Sequence, residues 1–181
     1  MRKASMFKLL LSLALLAVAA VPAYAQRGRF FTTLRGFEEV PAIFTPAQGQ
    51  FEAQINVDGT EMTYRLTYSN LRANATQAHI HFGQMGVNGG IMIWLCSNLA
   101  SPPTPPGTQP CPLRSGTITG TIDMSDVVGP SGQGISAGEI ASAARVIRSE
   151  VAYANVHSEQ FPGGEIRGQL DFRRGRGEGD Q

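Results

Sequence analysis

Three histidines occur among the 181 residues of this chain, and their spacing is the first sign of chemistry. Two lie in Ala78-His79-Ile80-His81-Phe82 and the third in Ala154-Asn155-Val156-His157. Successive side chains of an extended strand point to opposite faces, so Ala78, Ile80 and Phe82 share one face and His79 and His81 the other. The same alternation sets Ala154 and Val156 against Asn155 and His157. Both stretches thus offer an apolar face to a core and imidazoles to the solvent side of a sheet. Imidazole suits copper, zinc and nickel, and a pair on one strand with a third from a neighbour fills three positions and leaves one open. On the affinity order copper leads and zinc is the alternative. The outward residues Asn155, Glu165 and Gln169 are of the types that orient metal-bound rings. The opposing reading is three exposed strand histidines hydrogen-bonded to their neighbours. That all three fall on one predicted face favours the metal.

Other chemistries find less support. Ser158 follows His157, but the glycine-flanked elbow that exposes a nucleophilic serine is missing. Gly163-Gly164-Glu165 reads as a hairpin turn rather than an anion cradle. Glu165 and Arg167 on one strand face read as a surface pair worth about 0 to 1 kcal/mol. Glu38-Glu39 before Pro41 reads as a solvated strand end. Asn74-Ala75-Thr76 has the form of a glycosylation sequon.

The elements that must position the histidines are short strands. Phe30 to Leu34 opens the series and Pro41 ends it, because proline gives a sheet no amide hydrogen. Gln50 to Val57 alternates apolar and polar residues, Asp58-Gly59 turns, and Met62 to Tyr68 returns, so a hairpin is expected. The histidine strand follows, then a loop carrying Gly83, Gly86, Gly89 and Gly90, then the apolar strand Ile91 to Leu95. Gly116 to Ile122, Val151 to His157 and Glu165 to Leu170 complete the set. Ser136 and Glu139 have capping-box spacing, and Ile140, Ala143, Ala144 and Ile147 recur with helical period. The expectation is an all-β antiparallel sandwich or barrel of about eight strands with one short helix.

Bulk properties bound the role. Arg2, Lys3 and Lys8, the apolar run Leu9 to Val21 and Ala23-Tyr24-Ala25 form a secretory signal peptide over residues 1–25. Without it the chain keeps 12 arginines, no lysine and 14 acidic residues, a formal charge of −2. A near-neutral chain with no basic face is not a nucleic-acid binder, and nothing after the leader is long and apolar enough to span a membrane. The expected setting is secreted or periplasmic, the expected partner a metal ion or an extracytoplasmic protein. Cys96 and Cys111, the only cysteines, flank a proline-rich loop. In an oxidising compartment a disulfide is the favoured reading, with soft metal ligation the alternative. Residues 173–181 are charged and glycine-rich and are expected to be a disordered tail.

Five blocks resemble the CHRD domain, the module repeated in chordins and found alone in exported bacterial proteins. They are Leu34 to Pro41, Ala78 to Gly83, Asn88 to Ile91, Ala152 to His157 and Phe161 to Leu170. The likeness places one such domain over residues 26–172 and implies an exported binding module. A second likeness is to the copper side of Cu/Zn superoxide dismutase, a Greek-key β-barrel. It implies that His79, His81 and His157 stand where three copper-ligating histidines stand, with Arg167 near the place of an anion-guiding arginine. A bridging histidine and the zinc cluster have no counterpart, so a dismutase-like redox enzyme ranks third. A metal-binding module ranks first, and a metal-free protein- or matrix-binding module second.

Overall fold

A computed structural model describes residues 28–100 and 103–173. The expected leader over 1–25 and the part of the expected tail beyond Arg173 lie outside the described residues. Among the described residues no helix is long and apolar enough to cross a membrane.

Nine strands form one antiparallel sheet that curls into a nearly closed barrel. They are β1 (Arg29–Arg35), β2 (Gln48–Ile55), β3 (Met62–Ser69), β4 (Ala75–Phe82), β5 (Gly90–Ser97), β6 (Gly116–Ile122), β7 (Ala152–Ser158), β8 (Ile166–Gln169) and β9 (Asp171–Arg173). The order is β5-β4-β7-β8-β1-β2-β3-β6, with β9 beside β1. Alternation explains the core: Leu34, Phe51, Leu66, Ile80, Val156 and Ile166 all point inward and are fully buried. The β2–β3 hairpin pairs Gln48 with Ser69 through Ile55 with Met62, without slippage, around the Asp58-Gly59 turn. The expected strand Glu165 to Leu170 is β8, which ends at Gln169; a further strand, β9, follows Leu170 and takes in Arg173, one residue of the expected tail.

The single α-helix among the described residues, α1 (Ile140–Arg148), turns Ala143, Ala144 and Ile147 inward, where they border Ile55, Met62 and Ile93. The expected cap does not form, because the helix starts three residues later with Glu139 itself as its N-cap. The Glu139 carboxylate accepts from the Ser136 amide at 2.9 Å, while the Ser136 hydroxyl makes no capping bond.

β5 and β6 are the two ends of the sheet, and the loop between them seals the seam. Ile93 and Val127 form an isolated bridge across it. The Ser97 amide donates to the Gln109 carbonyl at 2.9 Å, and the Gln109 side chain donates to the Thr119 carbonyl at 3.1 Å. The loop is thus hydrogen-bonded to both free edges, which would otherwise invite another strand. Cys96 and Cys111 form a disulfide that fixes the loop's ends. Soft metal ligation is thereby ruled out for both.

Closing a loop of this length stabilises the fold by about 3 kcal/mol in the chain-entropy model. Urea unfolding of the Cys96→Ala/Cys111→Ala protein should show a loss of that order. An unchanged midpoint would mean that the hydrogen bonds of Gln109 alone seal the seam.

Candidate metal centre

The histidines lie on β4 and β7, adjacent strands in which His79 pairs with Asn155, His81 with Tyr153 and Gln77 with His157. Period-two alternation therefore puts His79, His81, Asn155 and His157 on the face opposite Ala78, Ile80, Ala154 and Val156. Register shifts on the β5 side of β4, at Ala78/His79 and Ile80/His81, mark bulges, which locally re-aim side chains. The ring centroids of His79 lie 5.3 Å from His81 and 5.0 Å from His157.

This face is not the solvent side. His79 is 0 % exposed, and His81 and His157 are 7 % exposed. Chain segments from outside the strands supply the cover. Gly89, in the loop between β4 and β5, presents its carbonyl to His81 Nδ1 at 3.0 Å. Pro162, in the β7–β8 turn, presents its carbonyl to His157 Nδ1 at 2.9 Å. Glu39, after β1, lies over the same region and is buried.

Carbonyls only accept, so the Nδ1 atoms of His81 and His157 carry the protons. In a neutral ring Nε2 is then a lone pair. His81 Nε2 is buried with no hydrogen-bond partner. His157 Nε2 faces His79 Nδ1 at 3.2 Å and Asn155 Oδ1 at 3.1 Å. One nitrogen from each ring can be chosen so that all lie within 4.8 Å of one another. An ion bonded to two imidazoles at about 2.0 to 2.1 Å in tetrahedral geometry holds their nitrogens about 3.3 Å apart. The residues present fit a metal ion on two counts: the spacing of the His79–His157 pair, and the orphaned lone pair of His81.

Electrostatics keeps the rings in the ligating form. Burial, reinforced by the charges that His157 and His81 would carry, pushes His79 down to about 2. Burial pushes His81 down to about 4, and it also lowers His157. At neutral pH all three are uncharged.

The other residues singled out in the sequence divide. Asn155 touches the cluster, but through the Nε2 of His157 rather than the Nδ1 that an orienting group would hold. Arg167 is 2 % exposed and donates to Asn88 Oδ1 at 3.1 Å and to the Val87 carbonyl at 2.8 Å, with its guanidinium 3.4 Å from the centre of the Tyr153 ring. It pins the β4–β5 loop, and its buried guanidinium is not presented to an incoming anion. Glu165 is fully buried and accepts from Thr45 Oγ1 at 2.6 Å, the Arg72 amide at 2.9 Å and Ser158 Oγ at 2.5 Å. It is therefore neither a surface ion pair nor a partner of an imidazole. Gln169 donates to the Gly83 and Glu150 carbonyls at 3.1 and 2.8 Å and braces the roof from below.

Sequence reasoning missed four contributors. Glu39, read as solvated, is 7 % exposed, and burial raises its carboxyl to about 7 against the lowering effects of Arg167 and Asn155. Tyr153 stacks on His81 with centroids 4.7 Å apart, and its hydroxyl accepts from the Gly89 amide at 3.2 Å. Trp94 stands edge-on to His79 at 4.3 Å. Gly89 is the fourth: a Cβ there would collide with the Phe82 carbonyl, so only glycine brings the accepting carbonyl close enough to His81. The alternation that puts Tyr153 on the face of Asn155 and His157 was the available signal for Tyr153, whereas the pairing of Trp94 with His79 depends on a register the sequence does not disclose.

A family model described as the CHRD domain matches residues 30–170. No curated protein and no solved structure matches the chain.

The shifted groups set the pH dependence of the ion-free protein. His79 and His81 have folded values below the unfolded 6.5, so their stabilisation is complete above that pH and is lost as pH falls through about 4. Glu39 works the other way: its folded value of about 7 exceeds the unfolded 4.5, so raising pH across that window costs stability. Between about pH 4.5 and 6.5 the imidazoles outnumber the carboxyl. Unfolding free energy should then rise with pH by about 1.4 kcal/mol per unit or more. A flat or falling profile in urea titrations would show that the histidines are not buried as described.

Proposed function

The chain belongs to the CHRD domain family, and on that premise we propose that it is an exported binding module holding one copper or zinc ion through His79, His81 and His157. One observation carries the reading. The three imidazoles converge, with one nitrogen of each within 4.8 Å of the others, and His81 Nε2 is buried with no hydrogen-bond partner. In the ion-free protein His79 Nδ1–H is placed to donate to His157 Nε2 at 3.2 Å, which leaves His81 Nε2 as the buried lone pair that a cation would satisfy. Copper leads by the affinity order for imidazole sites, with zinc the alternative. When bound, such an ion supplies a Lewis-acidic centre and, if copper, a one-electron couple. The protein's part is to keep the rings neutral, aim them through the carbonyls of Gly89 and Pro162, and exclude water. The leader-like N terminus and the disulfide support export.

A metal-free interaction module is the second reading. It is favoured by the apolar groups on the roof: Phe37, Phe44 and Met85 are 69 %, 79 % and 71 % exposed, and the two phenylalanine rings lie 6.3 Å apart. The dismutase-like reading loses its anion guide, because the donors of Arg167 are engaged by the β4–β5 loop.

Protein purified without a histidine tag and loaded with copper(II) or zinc(II) should retain one equivalent. Each of His79→Ala, His81→Ala and His157→Ala should weaken binding by more than about 100-fold. Retention of no metal by the wild type would leave the interaction module as the reading.

A further inference from the structure

Glu39 is a buried carboxyl that the fold accommodates at a cost. Its Oε1 has no hydrogen-bond partner. Gly164 makes room for it: a Cβ at that position would strike both carboxyl oxygens. Burial alone would favour replacing such a group, since an unpaired carboxylate inside a protein is destabilising. Its neighbours suggest what compensates. Asn155 is the side chain that favours its ionised form by hydrogen bonding, and the same Asn155 places Oδ1 at 3.1 Å from His157 Nε2. Arg167 is the charge that acts on it most strongly.

We infer that Glu39 is the counter-charge of the metal site and makes it favour a divalent over a monovalent ion. The inference rests on the metal reading above. Three neutral imidazoles and an amide bring no charge, and the guanidinium of Arg167 already brings one positive charge to the same buried region. A divalent ion adds two more where little water screens them. Of the two buried carboxyls, Glu165 is taken up by Thr45, Arg72 and Ser158. Glu38 acts on Arg167 only after Tyr153 and Glu39 in strength, and its side chain is exposed. Glu39 is therefore the anion placed to offset the ion. Coulomb energy is linear in charge, so losing the carboxylate affects a monovalent ion half as much in free energy. In affinity, half the free energy is the square root of the fold-change.

The test compares zinc(II) and copper(I) affinities of the full chain, by competition with chromophoric chelators, for wild type, Glu39→Gln and Glu39→Asp. Glu39→Gln keeps shape and removes charge. It should weaken zinc(II) by roughly 10- to 100-fold, the usual range for groups just outside the ligands, and copper(I) by only about 3- to 10-fold. Glu39→Asp, which keeps the charge, should hold the zinc-to-copper ratio nearer the wild type. Thermal unfolding of the ion-free Glu39→Gln protein should show an intact transition, because a buried charge has been removed. Equal losses for both ions would make Glu39 a positioning group and overturn the inference while leaving the metal site standing. Unchanged zinc affinity would overturn it as well. A wild type that binds neither ion would remove the metal reading and the inference together.

Discussion

The outer face of β4, β7 and β8 carries imidazoles, an amide and a guanidinium, and the chain covers that face rather than leaving it to water. Polar groups taken out of water must find partners or destabilise the fold by roughly 1 to 3 kcal/mol each. Much of the structure outside the strands satisfies this requirement. The Gly89 and Pro162 carbonyls serve His81 and His157. Arg167 gathers the β4–β5 loop onto the Tyr153 ring, and Asn88 passes the connection on to the Val40 carbonyl at 2.9 Å. Glu165 draws together Thr45, Arg72 and Ser158 from three separate stretches. Among the described residues, the buried side-chain atoms left without partners are Glu39 Oε1, His79 Nε2, His81 Nε2 and Gln169 Oε1. They lie on or beside this covered face. Two of the four belong to the histidine cluster itself.

How far the sequence disclosed this depends on which physical rule was in play. Period two along a strand is strict, so the sharing of a face by His79, His81 and His157 was legible, as was the β2–β3 hairpin with its Asp58-Gly59 turn. The disulfide was legible from cysteine number and an expected oxidising compartment. Exposure was not legible. Whether an outward strand residue meets water depends on segments far away in the chain, here 36–47, 83–90 and 159–164, whose backbone supplies partners that every residue type possesses. Glu39 looked solvated because it stands beside Glu38 and Pro41. Only the folding of its segment over β7 and β8 buries it. Arg167 and Glu165 looked like a surface pair for the same reason. Instead they diverge to separate partners.

The face of the sheet thus has a division of labour. Strands set the spacing of the rings, which loops alone do poorly. Loops supply the orienting carbonyls and the cover, and the cover in turn keeps the rings neutral by excluding water. The covering segments also expose Phe37, Phe44 and Met85. Buried neutral imidazoles also mean that acid competes with the ion for the same lone pairs, because metal ligands must be deprotonated.

X-ray absorption of the protein loaded with one equivalent of zinc(II) or copper(II) tests the central claim most directly. The account predicts three nitrogen ligands at about 2.0 Å with the outer-shell scattering of imidazole rings. A spectrum of oxygen ligands without imidazole scattering would contradict it, and would leave the convergence of the three rings without a metal to explain it.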